Sequence, residues 1–322
     1  MNRFWRNGFR TTVMVGALFV VFSFLWILGG CEDDDCVNCV ELTAPVVPTG
    51  VSSVSGDNFV VVQWYDISYY PYDGDFNPNV VSYYVYSRYF EDGDVNDPDR
   101  EFFLIGEVAW DENFDPGSGL HWFEDELAEN GSRYEYAVTA VNTDGVESAL
   151  SYEMVTDAPL PMGLGGVWIF GADGPDDASR TLSGFDFSDL ASRPIDPWTI
   201  DSTYDIRVSF EGSVPFVETA GSWVRIQDFG MFVDDEDYLV FEGVSWAPAD
   251  YYSRIGKLEL ILGHIYVVEI QDTELHYAKF GVVEQNDDAV CIVWAYQTIN
   301  GLPELKAFPE SKSKIEDLQI SL

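Results

Sequence analysis

A two-residue alternation of apolar and polar side chains constrains this chain more than any other feature. Val60, Val62 and Trp64 alternate in "FVVVQW", and Tyr134, Tyr136, Val138 and Ala140 alternate in "YEYAVTAVN". Further on, His276, Ala278, Phe280 and Val282 share one face of a run, and Val290, Ile292, Trp294 and Tyr296 share a face of the next. Residues two apart project from the same side of a strand, so each run is a strand with one apolar face. No segment keeps a helical period beyond two turns. The gaps are mostly short and rich in Gly, Pro, Asn and Asp, which suits antiparallel meanders. The expected fold class is therefore all-β: an immunoglobulin-like sandwich followed by a second antiparallel β-rich domain.

The N-terminus has a different character. Residues 1–10 carry three Arg and no acid, and residues 11–30 carry no charge. Twenty uncharged residues are long enough to span a bilayer and equally suit a long signal h-region. The junction Leu28-Gly29-Gly30-Cys31 resembles a bacterial lipobox, with an apolar residue, two small residues and then cysteine. That resemblance implies removal of residues 1–30 as a signal peptide and a lipid thioether on Cys31. The alternative is an uncleaved anchor. In either case the chain is tethered with its bulk outside the cytoplasm, and the lipobox reading makes the expected location the cell envelope, as an outer-membrane lipoprotein facing outward or into the periplasm.

Residues 31–44 form an acidic linker. Glu32, Asp33, Asp34 and Asp35 read as a solvated spacer, and such a cluster also resembles the surface-export signal of Bacteroidetes-like lipoproteins. Cys36 and Cys39 make a CxxC with no second pair nearby, two ligands short of a structural zinc site. In an oxidising compartment a small local disulfide is the plainest expectation. Cys291, inside "AVCIVWAYQ", reads as a buried strand thiol.

Charge narrows the partners. The chain has 16 Lys and Arg against 56 Asp and Glu, and beyond residue 30 the balance is 13 against 56, a net of −43. Such a surface repels phosphate backbones, so no nucleic acid is expected as a partner. It repels anionic lipid too, so membrane attachment has to come from something other than a basic patch. With 47% hydrophobic and 16% aromatic residues this is a core-forming chain, not a disordered acidic one.

Residues 45–158 give about seven short strand patterns, the number of an immunoglobulin-like sandwich. The segment resembles a fibronectin type III domain. Trp64 matches the core tryptophan of the second strand, Leu127 and Tyr134 match the family's leucine and corner tyrosine, and "AVN…DG" matches the sixth strand and its turn. Two insertions depart from the pattern, at 66–79 and 91–101. The first holds Tyr69, Tyr70, Tyr72 and Phe76, a candidate contact loop, because tyrosines give large contact area at modest entropic cost. Asp73, Asp75 and Asn77 in the first, and Asp92, Asp94 and Asn96 in the second, space oxygens as a calcium loop does. Neither loop has the glycine at position six or the glutamate at position twelve. Turn chemistry explains them without metal, and calcium stays as the alternative.

A Pro/Gly linker, "TDAPLPMGLGG", leads to residues 164–322, a second β-rich domain. Its strands are expected at 165–171, 202–212, 221–230, 237–246, 257–263, 264–272, 275–285 and 289–306. "GFDFSDL", "STYDIRV" and "IYVVEIQDTELHYAKFGVV" resemble pieces of HmuY-like β-rich lipoproteins. Some members of that family bind haem through axial histidines, which makes His264 and His276 the candidate haem ligands here. A hydrogen-bonded structural role is the plainer reading of each.

No GxSxG, HExxH or phosphate-binding loop stands in context, and three histidines leave little for imidazole catalysis. The expectation is a non-catalytic, lipid-anchored envelope protein that serves as a surface binding or assembly module, with a protein or glycan partner and no resident cofactor. A carrier of haem or glycan, acting through the C-terminal domain, is the alternative. A hydrolase would need two carboxylates in one cleft.

Overall fold

A computed structural model describes residues 43–67, 79–91, 100–174, 177–190, 194–198, 203–234, 237–250, 252, 256–271 and 273–307. The alternating runs fold as strands, and every paired strand is antiparallel.

The first domain holds β1 (Ser52–Gly56), β2 (Phe59–Tyr65), β3 (Val80–Tyr89), β4 (Phe103–Ala109), β5 (Phe114–Asp115), β6 (Leu120–Asp125), β7 (Tyr134–Asn142) and β8 (Val155–Asp157). They form two four-stranded sheets, ordered β1-β2-β6-β5 and β4-β3-β7-β8. This is a fibronectin type III sandwich. Its core gathers the alternating residues foreseen from sequence, Val60, Val62, Trp64, Tyr134, Tyr136, Val138 and Ala140, with Tyr83 and Val85 from β3. Trp64 is fully buried and packs against the rings of Tyr83 and His121 at 5.4 and 5.9 Å. The tyrosine corner forms: the Tyr134 hydroxyl accepts a 3.0 Å hydrogen bond from the Glu129 amide. Leu127 does not take the family's core position. It is 87% exposed, and Ala128 beside it is buried at 1%. The chain enters the corner one residue out of step with the match, and a methyl group fills the place of a leucine.

The second domain begins with β9 (Met162–Phe170), then a short helix α1 (Asp177–Arg180), β10 (Gly184–Phe185), β11 (Ile206–Glu211), β12 (Val214–Thr219), β13 (Val224–Met231), β14 (Lys257–Glu259), β15 (His264–Gln271), β16 (Leu275–Gln285) and β17 (Ala289–Gln297). Its two sheets run β10-β11-β12-β14 and β13-β15-β16-β17-β9. Between them lies a core of Phe185, Phe187, Ile206, Val208, Val217, Ile226, Tyr266, Val268, Phe280, Ile292 and Trp294.

The five-stranded sheet is covered on both faces, which explains why β15, β16 and β17 are nearly all buried. Its far face holds Ile265, Val267, Val293 and Ala295. Over them lie Leu160, Phe241, Val244, Ala247, Leu305 and Ala307. Strand 237–246, expected from sequence, does not form. The segment instead makes a 3-10 turn, Phe241–Gly243, and lays Phe241 and Val244 on the sheet as a lid. Burying a large side chain contributes about 1.5–3 kcal/mol, enough to favour that cover over ladder pairing at an edge.

Lys279, on β16, points into this second core and is fully buried. Its ammonium donates to the carbonyls of Phe241 and Val244, both at 2.7 Å, and sits 4.2 Å from the Phe241 ring centroid. The lid is thereby tied to β16 by hydrogen bonds as well as by apolar contact.

A polar seam joins the two domains. Asp157 on β8 and Glu304 are both fully buried. Lys306 donates to the Thr156 carbonyl at 2.8 Å and lies 2.9 Å from Glu304 Oε1 and 3.8 Å from Asp157 Oδ2. Arg133 reaches Glu304 Oε2 at 4.0 Å, and Ser55 donates to Asp157. Burial, reinforced by the negative charge of Asp157, holds the Glu304 carboxyl above the usual range.

Candidate functional site

One end of the second sandwich opens into a cleft of about 360 Å³, lined by Asp186, Ser188, Thr203, Tyr204, Asp205, Ala220, Trp223, Ile270 and Tyr296. Three adjacent crossings set its wall. The Asp205 amide donates to the Phe185 carbonyl at 2.9 Å, the Asp205 carboxylate accepts from the Phe187 amide at 2.9 Å, and the Ala220 amide donates to the Asp205 carbonyl at 2.9 Å.

Asp186 organises the rim. Its Oδ1 accepts from the Ser188 amide at 2.9 Å, the Ser188 hydroxyl at 2.6 Å and the Asp189 amide at 3.2 Å. Its Oδ2 accepts from the Thr203 hydroxyl at 2.9 Å. Both hydroxyl protons are committed to the carboxylate, so Ser188 and Thr203 turn only oxygen lone pairs outward.

Trp223 precedes β13 and is 49% exposed. Its carbonyl accepts from the Gln271 amide at 2.7 Å, which fixes its backbone to the end of β15. The six-membered part of its indole lies directly on Gly221, where an added Cβ would collide with Cζ3, Cη2 and Cε3. That part of the indole is therefore packed against the Gly221 backbone. Among the described residues no other ring stacks on Trp223.

Ile270 and Tyr296 make the floor, both buried. His276 stands behind it: it is the register partner of Ile270, and its ring centroid is 5.5 Å from that of Tyr296. Among the described residues no Lys or Arg lines the cleft, while two carboxylates do. A second, more open cleft of about 530 Å³ lies over Asp173, Arg180, Thr181, Asp196 and the exposed Trp198.

The haem pair expected from sequence does not assemble. The ladder from Ile265↔Gly281 to Ile270↔His276 places His264 and His276 at opposite ends of one hairpin. At about 3.4 Å per residue that separates them by about 20 Å, whereas two axial imidazoles must share one iron. Each histidine has a local partner instead. His264 Nδ1 is 3.0 Å from Asp228 Oδ1, and His276 Nδ1 is 3.1 Å from the Gln297 carbonyl oxygen.

Cys31, Cys36 and Cys39 lie outside the described residues, as do Tyr69, Tyr70, Tyr72 and Phe76 and the calcium alternatives Asp73, Asp75, Asn77, Asp92, Asp94 and Asn96. Cys291 is buried and unbridged, as its strand pattern suggested, and burial raises its thiol to about 11. Sequence reasoning missed the cleft. Its one local signal is "GSW" before a strand, a tryptophan flanked by residues too small to cover it.

No family model matches the chain, and no curated protein matches it. Among solved structures, a DUF4466 family protein from Parabacteroides merdae aligns over 80% of this chain and 97% of its own, at 10% identity and a TM-score of 0.34. A Fn3-like protein from Clostridium thermocellum covers 36% of this chain and 96% of its own, at 22% identity and a TM-score of 0.24. The fibronectin type-III domain of human fibronectin type III domain containing protein 3 covers 38% and 94%, at 16% identity and a TM-score of 0.26.

Proposed function

We propose that this chain is a non-catalytic, lipid-anchored protein of the cell envelope whose C-terminal sandwich binds a ligand at the Trp223 cleft. The fibronectin type III domain lies between anchor and binding domain in chain order and serves as the spacer. The observation that carries the binding half is a half-exposed tryptophan seated on glycine at the mouth of a cleft with a polar rim. Apolar surface of that size is normally covered, and where it stays open beside convergent polar groups it marks a binding site.

The anchoring half rests on Leu28-Gly29-Gly30-Cys31. Metabolic labelling with palmitate tests it: label is expected on the wild-type chain and absent from Cys31→Ser. Label retained by that variant, or absent from both, would sink the lipoprotein reading. The acidic balance of 56 carboxylates supports an outward-facing, freely hydrated surface with no nucleic acid partner.

A further inference from the structure

The chemistry of the cleft names its ligand class. This step rests on the reading of the cleft as a binding site, and we propose that the ligand is a neutral carbohydrate, held with one pyranose face on Trp223 and its hydroxyls donating to the Asp186 rim.

Three observations converge. The first is the hydrogen-bond polarity of the rim. Asp186 and Asp205 are acceptors, and Asp186 takes the hydroxyl protons of Ser188 and Thr203. The Asp186, Ser188 and Thr203 part of the rim is thus acceptor-rich, while Tyr204, Tyr296 and Trp223 carry the O–H and N–H groups of the lining, so its complement is a ligand whose hydroxyls both donate and accept. The second is charge. Two carboxylates, with no lining cation among the described residues, disfavour phosphates, carboxylic acids and haem propionates. The third is the shape of the apolar part. A cage for a quaternary ammonium needs several ring faces around the cation. Trp223 is half exposed with no ring stacked on it among the described residues, and Tyr296 is buried in the floor. A single flat platform fits the row of axial C–H groups on one side of a sugar ring. At about 360 Å³ the cleft is at the small end of ligand sites, commonly about 300–1,000 Å³, which suits one or two rings of a longer chain that leaves through the open mouth.

Gly221 is a positioning residue in this arrangement. Any side chain there lifts the indole off its seat, because the Cβ would occupy the space of the ring. Gly221→Ala should therefore weaken sugar binding while leaving Trp223 present.

The test is binding of the full chain, in detergent, to immobilised neutral glucans, mannans, galactans and xylans, with choline, haem and a cationic peptide as comparators. At least one neutral glycan is expected to be retained. Trp223→Ala should lose about tenfold or more in affinity, as a central tryptophan contact does, and Gly221→Ala should fall between. Trp168→Ala, which alters an exposed tryptophan outside the cleft, should bind as wild type does. Matching melting temperatures exclude misfolding as the cause. Retention of no neutral glycan, or glycan binding indifferent to Trp223, overturns the carbohydrate assignment. If choline or the peptide binds instead in a Trp223-dependent way, the ligand class is wrong and the binding-site reading survives. If no probe responds to Trp223, both fall.

Discussion

Replacing Lys279 by methionine should stabilise the protein near neutral pH and erase a pH dependence that the wild type has. Lys279 is fully buried, and burial pulls its ammonium from 10.5 down to about 7, with Glu242 opposing part of the fall. At about 1.4 kcal/mol per pH unit, that fall costs the folded state about 5 kcal/mol while the amine stays charged. The sign follows from proton binding. Between about 7 and 10.5 the unfolded chain holds the proton and the folded chain releases it, so stability rises with pH across that window. The full cost is present below 7. Methionine keeps the apolar stem but forfeits two hydrogen bonds to Phe241 and Val244, together about 2 kcal/mol. The variant should therefore be more stable by about 3 kcal/mol below pH 7. Its advantage should shrink by about 2 kcal/mol between pH 7 and pH 9. The assay is urea unfolding followed by tryptophan emission at fixed ionic strength, at half-unit steps from pH 6 to 9. The range stops there because Cys291 and the buried tyrosines, all raised, shift stability the opposite way above their ordinary values. Parallel pH profiles for the two proteins would refute the reasoning. They would mean that the two carbonyls and the Phe241 ring hold the ammonium charged throughout.

Lys306→Ala leaves the buried carboxylates of Asp157 and Glu304 facing each other across the seam with Arg133 alone, and should cost about 3 kcal/mol. Differential scanning calorimetry should then show the melting of the two domains separate, and a single unchanged transition would contradict the seam. Tyr134→Phe removes the corner bond to Glu129 and should lower urea stability by about 1 kcal/mol. Leu127→Ala, by contrast, should change it by no more than about 0.5 kcal/mol because the side chain is exposed; a loss of several kcal/mol there would restore Leu127 to the core.

Where alternation was strict, the fold was legible. β16 fell where the pattern placed it, because a covered sheet demands apolar residues throughout, and β17 starts as expected but ends at Gln297, nine residues short of the expected 306. β12 escaped notice because Pro215 interrupts it; it pairs with β11 across Phe210↔Pro215 all the same. The 237–246 segment has the composition of a strand but is spent as a lid, a tertiary choice that a local pattern does not record. Leu127 misled for a related reason: a family match identifies a turn but not which of two adjacent residues points inward. The cleft was illegible because Asp186, Thr203, Trp223, Ile270 and Tyr296 come from distant parts of the chain. His264 and His276 illustrate the converse. Sequence placed them flanking one hairpin, and the register that puts them at its opposite ends is what keeps them from sharing an iron.

Fluorine NMR of the full chain labelled with 5-fluorotryptophan tests the binding claim most directly. The chain has 10 Trp, and Trp223→Phe assigns the resonance that matters. On titration with the retained glycan, the Trp223 resonance should shift in proportion to occupancy, while those of Trp64 and Trp294, buried in the two cores, stay in place. A Trp223 resonance that does not move while the glycan binds would contradict the account.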